Sequence, residues 1–114
     1  MIQPLQSAAE LERLLRHRRP VFLFKHSTLC PVSAAAYRAF RQFAAAHPGA
    51  AEYRLVRVIE QRPLSGEVAR RLGVRHASPQ VLLIYGGGVR WHASHGAITE
   101  RALAGALTAL RPGR

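Results

Sequence analysis

Cys30 has the clearest chemical potential in this sequence, and it is the only cysteine in the chain. An apolar run of strand-forming residues at 21–24 comes shortly before it, and Pro31 directly after it suits the first position of a helix. Unpaired backbone N–H groups and the positive end of a helix dipole favour a thiolate at such a junction. Lys25 and His26 would add positive charge if their side chains turned towards the sulfur. We therefore interpret Cys30 as a reactive thiol rather than a small core residue.

Ser33 completes the motif Cys30-Pro31-Val32-Ser33, a CxxC motif in which serine replaces the second cysteine. One helical turn beyond Cys30, the Ser33 hydroxyl can donate a hydrogen bond to the sulfur but cannot form a disulfide with it. A mixed disulfide on Cys30 must therefore be resolved by a thiol from outside the chain. The motif predicts a catalytic site of Cys30, Pro31 and Ser33 that transfers a thiol group.

The elements that must position these residues alternate between helices and strands. Apolar residues at helical spacing predict helices, and continuous apolar runs predict strands that are buried on both faces. The predicted helices cover about 7–17, 31–47, 65–72 and 99–110, and the predicted strands about 21–24, 53–59, 80–85 and 89–92. This α/β order, αβαβαββα, resembles the thioredoxin-like fold, a mixed four-stranded sheet flanked by helices. The order alone also allows other small α/β sandwiches, so the motifs must decide between them. We expect a single domain over 1–110 and a C-terminal tail at 111–114.

Ser78 and Pro79 come just before the third predicted strand, where thioredoxin-like folds place a cis-proline facing the reactive cysteine. We therefore predict a cis Ser78–Pro79 bond close to Cys30. The backbone around Ser78 would then be free to pair with a substrate peptide, as in strand addition. Together with Thr28, a polar residue shortly before Cys30, these two residues are predicted to bind the substrate.

Charge and composition limit the classes of partner. The formal net charge is +11, but Lys25 is the only lysine, and the arginines are scattered without an aromatic stripe for base stacking. No specific nucleic-acid partner is therefore expected. A single cysteine excludes an internal disulfide, and the apolar runs are only of strand length, so we expect a cytoplasmic protein without a membrane partner. His92 and His95 would lie on opposite faces of a strand, and no metal site is expected.

Further segments resemble the monothiol bacilliredoxins of the YtxJ-like branch, thioredoxin-fold proteins that are linked to bacillithiol. The resemblance extends over nearly the whole chain. Its segments besides the CPVS motif are Lys25-His26-Ser27-Thr28, Arg62-Pro63-Leu64-Ser65, Gly73-Val74 through His76, Ser78-Pro79-Gln80, Trp91-His92-Ala93-Ser94-His95 and Ile98-Thr99-Glu100. The resemblance implies that Cys30 removes bacillithiol from mixed disulfides on S-bacillithiolated client proteins. Bacillithiol would be the thiol co-substrate, with no permanently bound cofactor.

Two other classes of function stay open at this level. A CxxS monothiol can hold an iron–sulfur cluster at a dimer interface together with small thiols, as monothiol glutaredoxins with a CGFS motif do. Pro31 in place of that glycine argues against this class. A non-catalytic interaction module is the other alternative, and an inert Cys30 would distinguish it.

Overall fold

Strands and helices alternate along the chain in a computed structural model that describes residues 1–110. The strands are β1 (Ile2–Pro4), β2 (Val21–His26), β3 (Glu52–Arg57), β4 (Gln80–Tyr85) and β5 (Gly88–Ser94). The helices are α1 (Ala8–Leu15), α2 (Pro31–Ala46), α3 (Arg62–Leu72) and α4 (Glu100–Leu110), with a 3-10 turn at His95–Ala97. The tail predicted at 111–114 lies outside the described residues.

The strands form one mixed sheet in the order β1-β3-β2-β4-β5. β1 and β2 are both parallel to β3, whereas β4 is antiparallel to β2 and β5 is antiparallel to β4. The α2 and α4 helices pack on one face of the sheet, and α1 and α3 pack on the other. From α1 onwards, the order of helices and strands is the one that the sequence pattern predicted.

The prediction of a four-stranded sheet was wrong in one respect, because β1 adds a fifth strand at the edge. Ile2 of β1 pairs with Tyr53 of β3, and Pro4 pairs with Leu55. β1 contains only three residues, and a segment of that length shows no usable alternation of apolar and polar side chains. Proline is tolerated at such an edge, where one side of the strand makes no ladder hydrogen bonds. Only the pairing with β3 makes this segment a strand.

β2 is buried on both faces because its side chains alternate between two apolar clusters. Phe22 and Phe24 belong to the cluster under α2 and α4, together with Phe40, Phe43, Tyr53 and Leu103. Val21 and Leu23 belong to the cluster under α1 and α3, together with Leu11, Leu14, Val68 and Leu82. By the same alternation, the next residue, Lys25, lies on the face of α1 and α3.

Proline and glycine set the helix ends that border the candidate site. α2 begins at Pro31, and α3 has Pro63 in its first turn. α3 ends before Gly73, whose φ of 70° is a left-handed conformation that glycine adopts without steric cost. The chain therefore turns sharply after α3 into the segment that leads to Pro79. None of the helices within residues 1–110 is both long enough and apolar enough to cross a membrane.

Candidate active site

Cys30 occupies the N-cap position of α2, with extended backbone angles of φ −113° and ψ 120°. The Cys30 carbonyl accepts the first hydrogen bond of the helix from Ala34 N–H, at 3.0 Å. The cysteine is a free thiol of intermediate exposure, and its neighbours Leu29 and Val32 are 81% and 48% exposed. The predicted placement of Cys30 at a strand-to-helix junction, partly open to solvent, is confirmed.

Ser33 does not have the role that its spacing from Cys30 predicted. Its side chain is completely buried, and its Oγ accepts a hydrogen bond from Ser27 N–H at 2.9 Å and lies 2.8 Å from His26 Nδ1. These contacts, rather than a bond to the Cys30 sulfur, occupy the hydroxyl in the described chain. Ser33 thereby ties the first turn of α2 to the end of β2 and to the start of the loop that carries Cys30.

His26 is held between this serine and an aromatic ring. Its imidazole stacks on Tyr37, with 4.7 Å between ring centroids and 22° between the ring planes. Burial is the main cause that lowers the pKa of His26, the charge of Arg57 lowers it further, and Glu60 opposes both. The Ser33 hydroxyl can donate a hydrogen bond to Nδ1 of a neutral imidazole while its oxygen accepts one from Ser27 N–H. His26 therefore acts as a neutral hydrogen-bonding partner that orients Ser33.

Lys25 turns away from Cys30, to the opposite face of the sheet. Its side chain is completely buried, and Nζ donates to His76 Nδ1 at 3.1 Å. Burial lowers the pKa of Lys25 to about 8. Burial also lowers the pKa of His76, and the nearby Lys25 charge adds to this effect. The possibility that Lys25 supplies positive charge to the thiol is thus wrong, because the alternation along β2 sends Lys25 to the face opposite α2.

The Ser78–Pro79 peptide bond is cis, as predicted. Pro79 is buried and directly precedes β4, where Gln80 pairs with Lys25 of β2. Its carbonyl accepts a hydrogen bond from His95 N–H at 3.1 Å. This register brings Pro79 to the end of β2 from which the loop to Cys30 departs. The exposed Thr28 lies within that loop, so the residues predicted to bind substrate share one end of the sheet with Cys30.

No group of three or more histidine, cysteine, aspartate or glutamate side chains within 1–110 could hold a metal ion. The buried pair of Lys25 and His76 was not predicted as part of a site. The sequence identifies Lys25 as the only lysine of the chain, directly after an apolar run. It does not identify His76 as the partner of Lys25, because the two residues are 51 positions apart.

We expect Ser33→Ala to lower the free energy of unfolding by about 1–3 kcal/mol, because it removes a buried hydroxyl that has two partners. Ser78→Ala is the matched control, since the Ser78 Oγ is buried but has no hydrogen-bonding partner within residues 1–110. Its substitution should leave stability unchanged or raise it, because the hydroxyl that is removed is buried without a partner among the described residues. Chemical denaturation of both variants measures the difference. Equal stability of the two variants would contradict the role given to Ser33.

Comparison with known proteins identifies relatives over almost the whole chain. The family model described as BrxC, monothiol bacilliredoxin, matches residues 3–103. A solved structure described as a proposed oxidoreductase with a thioredoxin fold is 32% identical, with a TM-score of 0.85 and 92% of each chain covered.

Two thioredoxins of lower identity share the fold. Malassezia sympodialis thioredoxin is 17% identical, with a TM-score of 0.77, and the match covers 96% of this chain and 90% of that one. Fasciola hepatica thioredoxin is 22% identical, with a TM-score of 0.75 and coverage of 94% and 97%. These similarities confirm the predicted thioredoxin-like fold class.

Proposed function

The chain belongs to the monothiol bacilliredoxin family, and from this premise we propose that Cys30 removes bacillithiol from mixed disulfides on client proteins. The Cys30 thiolate attacks the bacillithiol sulfur of the mixed disulfide, and the bond between that sulfur and the client sulfur breaks. The client leaves as a thiolate and takes up a proton. Cys30 then carries bacillithiol until an outside thiol attacks the bacillithiol sulfur and restores the free cysteine.

The observation that carries this proposal is the position of the sole cysteine. Cys30 stands at the N-cap of α2 as a free, partly exposed cysteine. Ser33 occupies the place of a second cysteine, and its hydroxyl is held by His26 and Ser27. The chain therefore has a sulfur that can accept a group and no second sulfur that could displace it.

The surface beside Cys30 suits a protein client. Leu29 and Val32 expose apolar side chains on either side of the Cys30-Pro31 dipeptide. Exposed apolar side chains that adjoin a polar site are typical of surfaces that contact another protein. Thr28, Ser78 and Pro79 are the proposed contacts to the substrate on the same end of the sheet. Bacillithiol acts as a co-substrate without a permanently bound cofactor, and the proposed location is the cytoplasm.

The direct test is the intact mass of the purified protein after exposure to oxidised bacillithiol. We expect the mass of one bacillithiol to be added to each chain, on Cys30, because thiol–disulfide exchange releases one reduced bacillithiol for each adduct formed. A reduced thiol should remove the adduct. Alkylation of a parallel sample with iodoacetamide shows whether Cys30 is accessible. Alkylation without formation of the bacillithiol adduct would contradict the proposal and would favour an interaction module.

A further inference from the structure

A cavity of about 260 Å³ lies between the end of β3 and the first turns of α3. We call it the α3 cavity; its lining residues are Val58, Ile59, Arg62, Ser65, Gly66 and His76. It has an apolar wall, two basic side chains, a hydroxyl and the N-terminal end of an 11-residue helix. No acidic residue lines it. These are the groups that hold a small anion.

The positive charge at the α3 cavity has no counter-ion within the described chain. Lys25 is completely buried behind His76, and neither residue makes an ion pair with a carboxylate in residues 1–110. Arg62 is exposed and likewise has no carboxylate partner there. Because Nδ1 of His76 accepts from Lys25, a neutral His76 carries its proton on Nε2 and remains a donor. The buried Lys25 thus donates a hydrogen bond to His76, and His76 can donate one from the wall of the cavity.

The α3 cavity lies at the same end of the sheet as Cys30. Val58, which lines the cavity, donates its N–H to the carbonyl of His26 at 3.0 Å. His26 is the last residue of β2 before the loop that carries Cys30. On the other side, His76 begins the segment that leads to Pro79. The cavity and the β2–α2 loop that carries Cys30 therefore lie at the same end of the sheet.

We propose that the α3 cavity binds a carboxylate of the small thiol that Cys30 accepts. This inference rests on the proposed function. Bacillithiol is a thiol that carries carboxylate groups, and the inference names a carboxylate as the part that the protein recognises. Arg62 would pair with the carboxylate, and His76 and Ser65 would donate to it. Lys25 would act through His76 as a positioning residue, since the bound anion supplies the counter-charge that the buried lysine lacks.

The lowered pKa of Lys25 is consistent with a site in which a bound anion supplies the missing counter-charge. Its folded-state pKa of about 8 lies below the ordinary lysine value of 10.5, so protonated Lys25 destabilises the unliganded fold. Stability should accordingly rise with pH across the window from about 8 to 10.5, where an unfolded chain still holds the proton and the folded chain does not. A carboxylate in the cavity favours the protonated lysine and opposes this trend.

Arg62→Ala tests the inference with two substrates made from one client protein. One substrate carries bacillithiol as the mixed disulfide, and the other carries 2-mercaptoethanol, which has no carboxylate. We expect kcat/KM to fall about tenfold for the bacillithiol substrate, because one charge-assisted contact is lost. For the 2-mercaptoethanol substrate, kcat/KM should stay unchanged. Arg101→Ala, which removes an exposed arginine of α4, is the matched control and should alter neither value.

The outcomes of this experiment distinguish a failure of the carboxylate site from a failure of the proposed function. An equal loss with both substrates would assign the cavity to a carboxylate of the client and overturn our assignment, as would no loss with either substrate. If the wild-type protein transfers neither group, the proposed function fails. Titration with malate, monitored through the NMR signals of the His76 ring, then tests anion binding in the cavity independently. If these signals do not shift, the inference is rejected.

Lys25→Met provides a second variant whose two readouts move in opposite directions. Removing a buried charge without a counter-ion should raise Tm at neutral pH. The same change should lower kcat/KM for the bacillithiol substrate and leave the value for the 2-mercaptoethanol substrate unchanged. A purely structural lysine would give a lower Tm and unchanged selectivity between the two substrates, and that result would overturn the positioning role.

Discussion

Removal of bacillithiol from a client protein should stop after about one turnover per chain when no free thiol is supplied. The reason is that Cys30 is the only sulfur of cysteine in the chain, so the bacillithiol it accepts cannot be displaced by an internal disulfide. The stalled protein should carry one bacillithiol on Cys30. Addition of bacillithiol or another thiol should restore turnover. Mass spectrometry of client and protein at matched concentrations measures both species.

Cys30→Ser should abolish transfer completely, because a serine hydroxyl at this position cannot form a mixed disulfide. The fold should persist in this variant, since Cys30 is a partly exposed N-cap and serine is a favoured N-cap residue. An unchanged thermal transition would therefore separate lost chemistry from lost structure. Several turnovers without added thiol, or transfer by the Cys30→Ser protein, would show that the single-cysteine mechanism is wrong.

Phe40→Ala should lower the free energy of unfolding by about 3–5 kcal/mol. Phe40 is completely buried on the inner side of α2, and its ring centroid lies 5.1 Å from that of Phe24 and 5.9 Å from that of Tyr53. Truncation leaves a cavity between α2 and the sheet, in addition to the lost burial of the ring. Because Cys30 is the N-cap of α2, the anchoring of Phe40 also helps to hold the thiol at the end of β2.

Arg38→Ala is the matched control on the same helix, because Arg38 is exposed and its substitution should change stability by no more than about 0.5 kcal/mol. Denaturant titration at equilibrium measures both variants. A loss below about 1 kcal/mol for Phe40→Ala would be too small for a side chain buried in this way. Such a result would contradict the described packing of α2 on the sheet.

Most of the fold was predictable because its elements are defined by neighbouring residues. The apolar run at 21–24, the proline at 31 and the glycine at 73 each act within a few positions, through burial, a restricted φ or a left-handed turn. β1 is the exception. Its three residues have no internal pattern, and they become a strand only because β3 offers them an unpaired edge.

The sequence by itself determined where Cys30 stands and that any disulfide it forms must be resolved from outside, since both follow from local pattern and from a count of cysteines. The tertiary structure alone decided what Ser33 and Lys25 contact. A hydroxyl one turn beyond Cys30 was expected to bind the sulfur, but the end of β2 places His26 and Ser27 against it instead. Lys25 meets His76 across 51 positions because strand alternation turns it to the face that α3 covers. Local propensity sets the backbone of an element, whereas the partner of a buried polar group depends on which distant segments the sheet brings together.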